Sequence, residues 1–524
     1  MTRMHGCPDA VPKHRSVLLL LFILAGALAI RLVRLGAWSF WGDEVDSLYA
    51  GLNHIYFHPP VFLVLARYWA IWAHTDFSLR LLSAVIGTGA VAAAWLLARR
   101  VCRSEAVALW SAVFVAVNPS QVHFSREFRM YSLLALVTAL SWVAFLSWME
   151  QGGRLRGVGA VTMAAIALYT HHYGVVFLVA QGMAALCFRP WKPAVKKLSI
   201  YALALFIIYL PYIRMVLYFS RRMVKSSYWA YPVSWRTPWY LMRFHVSHFE
   251  PPLAVTGVMI LISLILLAVG VHSCRTRDFR MLLVFGFAAP ICLSVTASAI
   301  LPTSALVARY LVFTSIPFCI ALACGASALA FRRFYIVVPL MLLIMQAGSI
   351  TLQYRNVFLA PEPREVRERG DFRGAASVIQ KEYRSGDCIG TTCVSGSEPN
   401  WYYLTYRHGI PHGWLLDIDN RYFEHMGLKY GLMEFIQHHY PYAVPVNIDR
   451  VIETNGCHRL WLYESQWASG APPGDFYYDH RMLCRRWLME RYPLVQTWTF
   501  KDVDVRLFDL ERPLLPESET EGAD

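Results

Sequence analysis

Val17–Leu35 reads VLLLLFILAGALAIRLVRL. An apolar run of this length crosses the ~30 Å hydrocarbon core of a bilayer as a single helix. Lys13, His14 and Arg15 precede it, and Ala27-Leu28-Ala29 inside it has the small-residue form of a signal-peptidase site. The apolar run continues past that site, so the expectation is a retained first helix with its N-terminus inside. The rest of the chain is of the same kind. Its 524 residues are 56% hydrophobic and 16% charged, whereas soluble chains carry about 25% charged residues. Single soluble cores stop growing at about 250–300 residues. A soluble enzyme, a disordered chain and a fibrous protein are therefore excluded, and a polytopic membrane protein remains.

Further apolar runs fall near 79–98, 105–118, 130–149, 157–170, 174–188, 198–217, 253–271, 281–300, 309–330 and 334–352. With the first, these make eleven spans. The segment 59–74 opens on Pro59-Pro60, carries Arg67 and is short for a crossing, so it reads as an interfacial helix in the first outer loop. Charge supports that parity. The net charge is +14, and the basic residues gather as Arg99/Arg100/Arg103, Arg189/Lys192/Lys196/Lys197, Arg275/Arg277/Arg280 and Arg332/Arg333. Each cluster lies between two apolar runs, where cytoplasmic loops keep their Lys/Arg excess, which argues for topology and against nucleic-acid binding. The halves 157–170 and 174–188 are short of the ~20 residues a crossing helix needs, as is 105–118, cut by Asn118-Pro119. Irregular backbone at membrane depth lines a cavity or packs on protein, so a cavity opening outward is expected.

The tail changes character after Pro361 and Pro363. Asp371–Arg384 has helical spacing, and Cys388–Val394, Leu460–Tyr463, Val495–Phe500 and Val505–Leu510 read as strands. The fold class is thus a polytopic α-helical membrane protein of about eleven spans, 1–352, whose first outer loop is 36–78, followed by an extracytoplasmic α/β domain, 353–524. Seven of the eleven cysteines precede residue 330, mostly in or beside apolar runs. Cys388, Cys393, Cys457 and Cys484 fall in the tail, where oxidising surroundings would let them pair. The end from Pro516 to Glu521 is acidic.

Five motifs lie on the outer side of this topology, which was built from charge and length alone. Phe40-Trp41-Gly42-Asp43-Glu44, followed by Asp46, sets carboxylates among aromatics beside a membrane, an expensive placement that marks function. His58-Pro59-Pro60 opens the interfacial helix. Ser125-Arg126-Glu127-Phe128-Arg129-Met130-Tyr131 begins a span, its arginines suited to snorkelling or to an anionic head group. Tyr169-Thr170-His171-His172-Tyr173 forms a turn at depth, suited to phosphate or metal. Ala308-Arg309-Tyr310 begins the tenth span. The loop 218–252 adds Tyr228, Trp229, Tyr231, Trp235, Trp239, Tyr240, His245 and His248, which read either as an interfacial aromatic belt or as a mobile lid.

In order and spacing, Phe40-Trp41-x-Asp43-Glu44, His58-Pro59-Pro60, Phe77-Ser78-x-Arg80-x-x-Ser83 and Ser125-Arg126-Glu127-x-Arg129-Met130-Tyr131 resemble the polytopic C-type glycosyltransferases. The nearest resemblance is to the bacterial branch related to protein O-mannosyltransferases and the lipid A aminoarabinose transferases. Tyr169-Thr170-His171, Arg309-Tyr310 and the tail's Asp371-Phe372-Arg373-Gly374-Ala375-Ala376 are similar to that branch too.

The resemblance implies an integral-membrane hexosyl- or pentosyltransferase of a bacterial inner membrane. Its donor would be a sugar on a polyprenyl phosphate, and its acceptor a hydroxyl of a glycan, lipid or protein outside the cytoplasm. Asp43 matches the catalytic acidic position and would act as general base in an inverting displacement, with Glu44 beside it. The departing phosphate needs charge stabilisation, for which Arg309, Tyr310, His171, His172, Glu127, Arg129 and Tyr131 are the candidates. His58-Pro59-Pro60 stands where the aminoarabinose transferases have Glu-Lys-Pro, so a lysine contact to the carrier is absent and His58 becomes a candidate ligand for a divalent metal. Arg126 is an added charge expected to face the head groups. A transporter or flippase of lipid-linked sugars, and a ligase of whole oligosaccharides, are the alternatives.

Overall fold

The computed structural model describes residues 13–53, 58–223, 233–301, 304, 306–330, 333–359, 370–391, 399–410, 413–416, 445–447, 452, 456–465 and 483–514. The Pro361/Pro363 junction, Tyr228, Trp229, Tyr231, Cys393, the Cys484 side chain and the acidic end lie outside them. The chain forms two compact units: Met1–Gly36 with Tyr56–Glu368, and Ala37–Ile55 with Arg369–Asp524. The first outer loop, read from sequence as one segment of the membrane part, is thus divided. Its acidic half belongs to the second unit.

The first unit is helical. Its α1 (Lys13–Leu32), α4 (Asp76–Cys102), α7 (Tyr131–Gln151), α10 (Trp191–Met223), α12 (Leu253–Ser273) and α16 (Val337–Arg355) each contain an apolar stretch long enough to cross a membrane. So do Arg277–Ile300 and Ala308–Ala330, which makes eight among the described residues. Arg277–Ile300 includes α13 (Arg277–Met281) and α14 (Ala289–Ile300), and Ala308–Ala330 includes α15 (Ser315–Ala330). The three other expected spans are short: α5 (Glu105–Val117), α8 (Arg154–Leu168) and α9 (Gly174–Ala185) have 13, 15 and 12 residues. At ~1.5 Å per residue none covers ~30 Å.

Local chemistry explains the breaks. Asn118 ends α5 and caps α6 (Pro119–Phe124), its side chain accepting from Gln121 N–H at 3.0 Å while Pro119 takes the first helical position. Gly152 and Gly153, at φ +67° and +89°, turn the chain from α7 into α8. The expected interfacial helix is α3 (Pro60–Ala70).

α15 is buried along almost all of its length. Glycines let α12 and α15 touch backbone to backbone: a Cβ on Gly325 would overlap the Leu266 carbonyl, and one on Gly270 the Ala321 carbonyl. At the end where α4, α7 and α12 finish, Arg100 pairs with Glu150 (2.5 Å) and Asp278 (2.8 Å), and Arg277 with Glu150 (2.9 Å).

The end of α1 gathers buried arginines. Arg31 Nη1 donates to the carbonyls of Ala27 (3.0 Å) and Ala116 (3.1 Å), and Arg80 Nη1 to that of Leu35 (3.2 Å). Arg126 Nη2 donates to the carbonyls of Val33 (3.0 Å) and Arg34 (3.3 Å), with its guanidinium 4.5 Å from the Tyr354 ring centre. A helix leaves its last carbonyls without partners inside the helix and carries a negative end there. Arg126 therefore faces inward to serve these carbonyls. The expectation that it meets lipid head groups is corrected.

The second unit holds α2 (Gly42–Leu52), α17 (Phe372–Glu382), α18 (Leu483–Arg491) and six strands: β1 (Asp387–Thr391), β2 (Gly413–Leu416), β3 (Pro445–Asn447), β4 (Arg459–Ser465), β5 (Leu494–Phe500) and β6 (Val503–Asp509). The sheet order is β3-β2-β1-β4-β6-β5, parallel from β3 through β4 and antiparallel across β4-β6-β5. Leu460, Leu462, Leu488 and Phe508 form its core. Cys388 and Cys457 are joined as a disulfide. Asp387 accepts from Arg459, from Trp461 Nε1 (2.8 Å) and from Arg384 N–H (2.9 Å). Burial opposes ionisation of this carboxyl, but the Arg459 and Trp461 hydrogen bonds and the Arg384 amide outweigh it and hold it below the usual carboxylate range.

Candidate active site

In the first unit, four separate segments bring their polar ends together. Val61 N–H donates to the Tyr169 carbonyl (2.9 Å), pinning the start of α3 to the turn between α8 and α9. That turn presents His171 and His172. The His58 and His172 rings lie 6.3 Å apart, as do those of His171 and His172. Tyr310 stands 4.7 Å from His171 and 5.2 Å from Tyr173, ring centre to ring centre. Tyr131, fully buried, stands 5.9 Å from His171 and 6.4 Å from Tyr310. Arg129 and Arg309 place their guanidinium carbons 5.8 Å from the Tyr131 and Tyr310 ring centres. Six of the sequence candidates, together with His58, thus form one cationic and aromatic cluster. The seventh, Glu127, pairs with His123 at 3.4 Å.

The electrostatics fit an anion. Burial is the largest force pushing the His58 pKa well below its ordinary value, followed by the positive fields of Arg129, His172, His171 and Arg309. His171 is shifted the same way by burial, then by His172, Arg129 and Arg309. Both imidazoles are therefore neutral near pH 7. Tyr173 N–H donates to His171 Nδ1 at 3.0 Å, so that nitrogen carries the lone pair and Nε2 carries the proton. Arg129 is also held through its backbone: its N–H donates to the Glu127 carbonyl (2.8 Å), and Ser83 Oγ donates to its carbonyl (3.4 Å). Guanidinium forks with neutral N–H donors and tyrosines make a cradle whose chemistry can hold phosphate oxygens.

The cluster lies at the Tyr131 end of α7, and the Arg100–Glu150 pair at its other end. A 21-residue helix separates the two by about 30 Å.

Asp43 and Glu44 occupy the first turn of α2 in the second unit, where the helix N-terminus favours negative charge. Glu44 is fully buried and Asp43 half-buried. A seat from the tail fixes this helix. Phe40 stacks on Tyr402 at 4.7 Å, Phe40 N–H donates to Tyr403 Oη at 2.6 Å, and Tyr49 meets Trp401 edge-on at 4.9 Å. Arg373 N–H donates to Ser39 Oγ (3.1 Å) and its guanidinium to the Trp38 carbonyl (2.9 Å). Sequence reasoning did not link Trp401–Tyr403 to Asp43, because the segments are more than 350 positions apart and share no period.

The described part of the loop 218–252 packs side chains into the first unit. In α11 (Thr237–Ser247), His245 is buried between the Leu241 carbonyl and Thr314 Oγ1, both at 2.8 Å, and Tyr240 stacks on Phe249. Trp235 and Trp239 are exposed, as belt residues are.

Residues 45–228 match the family model of the dolichyl-phosphate-mannose-protein mannosyltransferases. No curated protein sequence matches the chain. Among solved structures, ArnT from Cupriavidus metallidurans in its apo state is similar over 94% of this chain and 98% of that one, with a TM-score of 0.60 and 12% identity. The same protein bound to undecaprenyl phosphate is similar over 93% and 97%, with a TM-score of 0.58 and 13% identity. The chain therefore has the fold of ArnT along nearly its whole length and, over residues 45–228, the sequence pattern of the protein mannosyltransferases.

Proposed function

We propose that this chain is an integral-membrane glycosyltransferase that moves a sugar from a polyprenyl phosphate to an acceptor hydroxyl on the extracytoplasmic face. The observation that carries the reading is the partly buried cradle of Arg129, Arg309, His171, His172, His58 and Tyr310, whose charge and donors match a phosphate that becomes a better leaving group as it is stabilised. Undecaprenyl phosphate, found in one ArnT structure, has this chemistry. The orientation is supported by two features. The basic pairs lie at the opposite end of α7 from the cradle, and the Cys388–Cys457 disulfide suits an oxidising compartment.

Asp43 takes the role of general base, drawing the proton from the acceptor oxygen as that oxygen attacks the anomeric carbon. The C–O bond to phosphate breaks on the opposite face, so the configuration inverts. Arg309 and Arg129 receive the negative charge, and the His171 Nε2–H donates to a phosphate oxygen. Glu44, the next residue along α2, is the second candidate carboxylate. His58 stands among cations, which suits an anion better than a divalent metal ligated at that position.

The test is transfer of labelled sugar from polyprenyl-phosphate donors in proteoliposomes. Wild type should form a new glycoside of inverted configuration, and Asp43→Asn should bind carrier without forming product. Retained turnover in Asp43→Asn removes Asp43 from the role of base. Translocation without any product by the wild-type chain would replace transfer with transport.

A further inference from the structure

Against Phe124, which in turn packs on Tyr131, the first unit buries a second group of chemistry-bearing side chains. α6 carries His123. α11 ends at Ser247, and His248 follows with φ +59° and ψ −67°, a backbone conformation that L residues rarely adopt. Glu250 comes two residues later, before Pro251-Pro252 and the start of α12. One ligand atom from each of His123, His248 and Glu250 lies within 4.8 Å of the others. The three residues are 9%, 0% and 1% exposed, and the two imidazoles stack with their centres 4.0 Å apart.

Two buried imidazoles and a carboxylate are costly in an apolar interior unless something satisfies them. The partners present account for part of the group. Glu250 Oε1 accepts from His248 Nδ1 at 2.5 Å, and Oε2 accepts from Phe249 N–H (3.2 Å) and Ser349 Oγ (3.3 Å). The Leu359 N–H donates to the Glu250 carbonyl at 2.8 Å, fixing the backbone as well. A proton on Nδ1 leaves the lone pair of His248 on Nε2, and that atom is buried with no hydrogen-bond partner. On the other ring, Glu127 Oε1 lies 3.4 Å from His123 Nε2. An imidazole nitrogen and a carboxylate oxygen that share a proton are also two donors that a metal ion can bridge in that proton's place, since metal binding releases protons from its ligands.

We propose that His123, His248 and Glu250 hold a divalent metal ion of the zinc class. Mixed imidazole and carboxylate donors select such an ion over calcium or magnesium, which take oxygen ligands. Donor atoms around a tetrahedral zinc are about 3.3 Å apart, so the group closes on the ion by small side-chain movements. The role is structural. The ion ties α6 to the junction of α11 and α12, two residues before the turn Ser125–Tyr131 that carries Arg129. The site is independent of the transfer reaction proposed above.

The same unit holds a group of different chemistry, the buried thiols of Cys102, Cys274 and Cys324, and cobalt distinguishes the two. The full-length chain, purified in detergent, stripped with chelator and reloaded with zinc, should retain zinc by elemental analysis and unfold at a higher temperature than the stripped chain. Cobalt in its place should give visible ligand-field bands of an imidazole–carboxylate site. His248→Ala and His123→Gln, each checked for folding by size exclusion, should bind metal at least 10-fold more weakly. Should neither variant fold, the wild-type cobalt spectrum decides. The proposal is overturned if the folded wild type binds no metal. It is equally overturned if folded His248→Ala keeps full affinity, or if cobalt shows thiolate charge-transfer bands alone.

Discussion

Two arginines of the outer motifs, Arg309 and Arg126, look alike on paper and act in different ways. Arg309 stands beside Tyr310 in the cradle. Arg309→Ala should lower kcat/KM for the polyprenyl-phosphate donor by about 100-fold without changing the unfolding temperature, and Arg309→Lys should recover only part of the loss. Arg126 serves the Val33 and Arg34 carbonyls. Arg126→Ala should destabilise the chain by about 2 kcal/mol, seen in thermal unfolding, while activity per folded molecule persists. Acid should act through the histidines. Burial and neighbouring cations depress the folded pKa values of His58 and His171. The unfolded chain therefore takes up protons first as pH falls below about 6.5, so stability is intact above that value and declines below it until the folded values are reached. The thermal midpoint should drop between about pH 7.5 and about pH 5.5, and drop less in His58→Gln. An equal drop in both would remove His58 from this account.

Among the elements, α2 and the α12–α15 pair carry the clearest consequences. α2 is eleven residues long, too short to persist alone in water. Its order comes from Trp401, Tyr402 and Tyr403. Tyr402→Ala should cost about 3 kcal/mol and raise amide exchange across Gly42–Leu52 while leaving exchange in α7 unchanged. Glycine sets the approach of α12 and α15. Gly325→Val drives a side chain into the Leu266 carbonyl and should cost about 3 kcal/mol, read as a lower thermal midpoint and a smaller monodisperse fraction.

Across the whole molecule, the chain leaves the first unit at Gly36, builds α2 in the second, and returns by Tyr56. The acidic motif thus depends for its shape on residues in the tail. The Cys388–Cys457 disulfide, closing a sequence separation of 69, stabilises that tail by roughly 4 kcal/mol through the entropy it removes from the unfolded chain. Cys388→Ser should make the stretch 370–514 susceptible to protease at temperatures that the wild type resists.

Wherever the signal is local, the sequence by itself determined much of this protein. Of the eleven apolar runs read as spans, eight are long enough to cross among the described residues, the break at Asn118-Pro119 gave a short α5, and short strand-like runs gave β1, β4, β5 and β6, because span length, capping and local composition are properties of neighbouring residues. Strands β2 and β3, only four and three residues long, carry too little pattern to be read. The motif order also marked His171, Arg129 and Arg309 before any geometry. Tertiary structure alone decided the remainder: that Arg126 turns inward to the end of α1, that Glu127 pairs with His123, and that His248 and Glu250 meet His123 across more than a hundred positions. It alone seated the Asp43 turn on Trp401–Tyr403. Each of these depends on which side chains share a low-dielectric interior. That is fixed by how helices pack, and the spacing along the chain does not encode it.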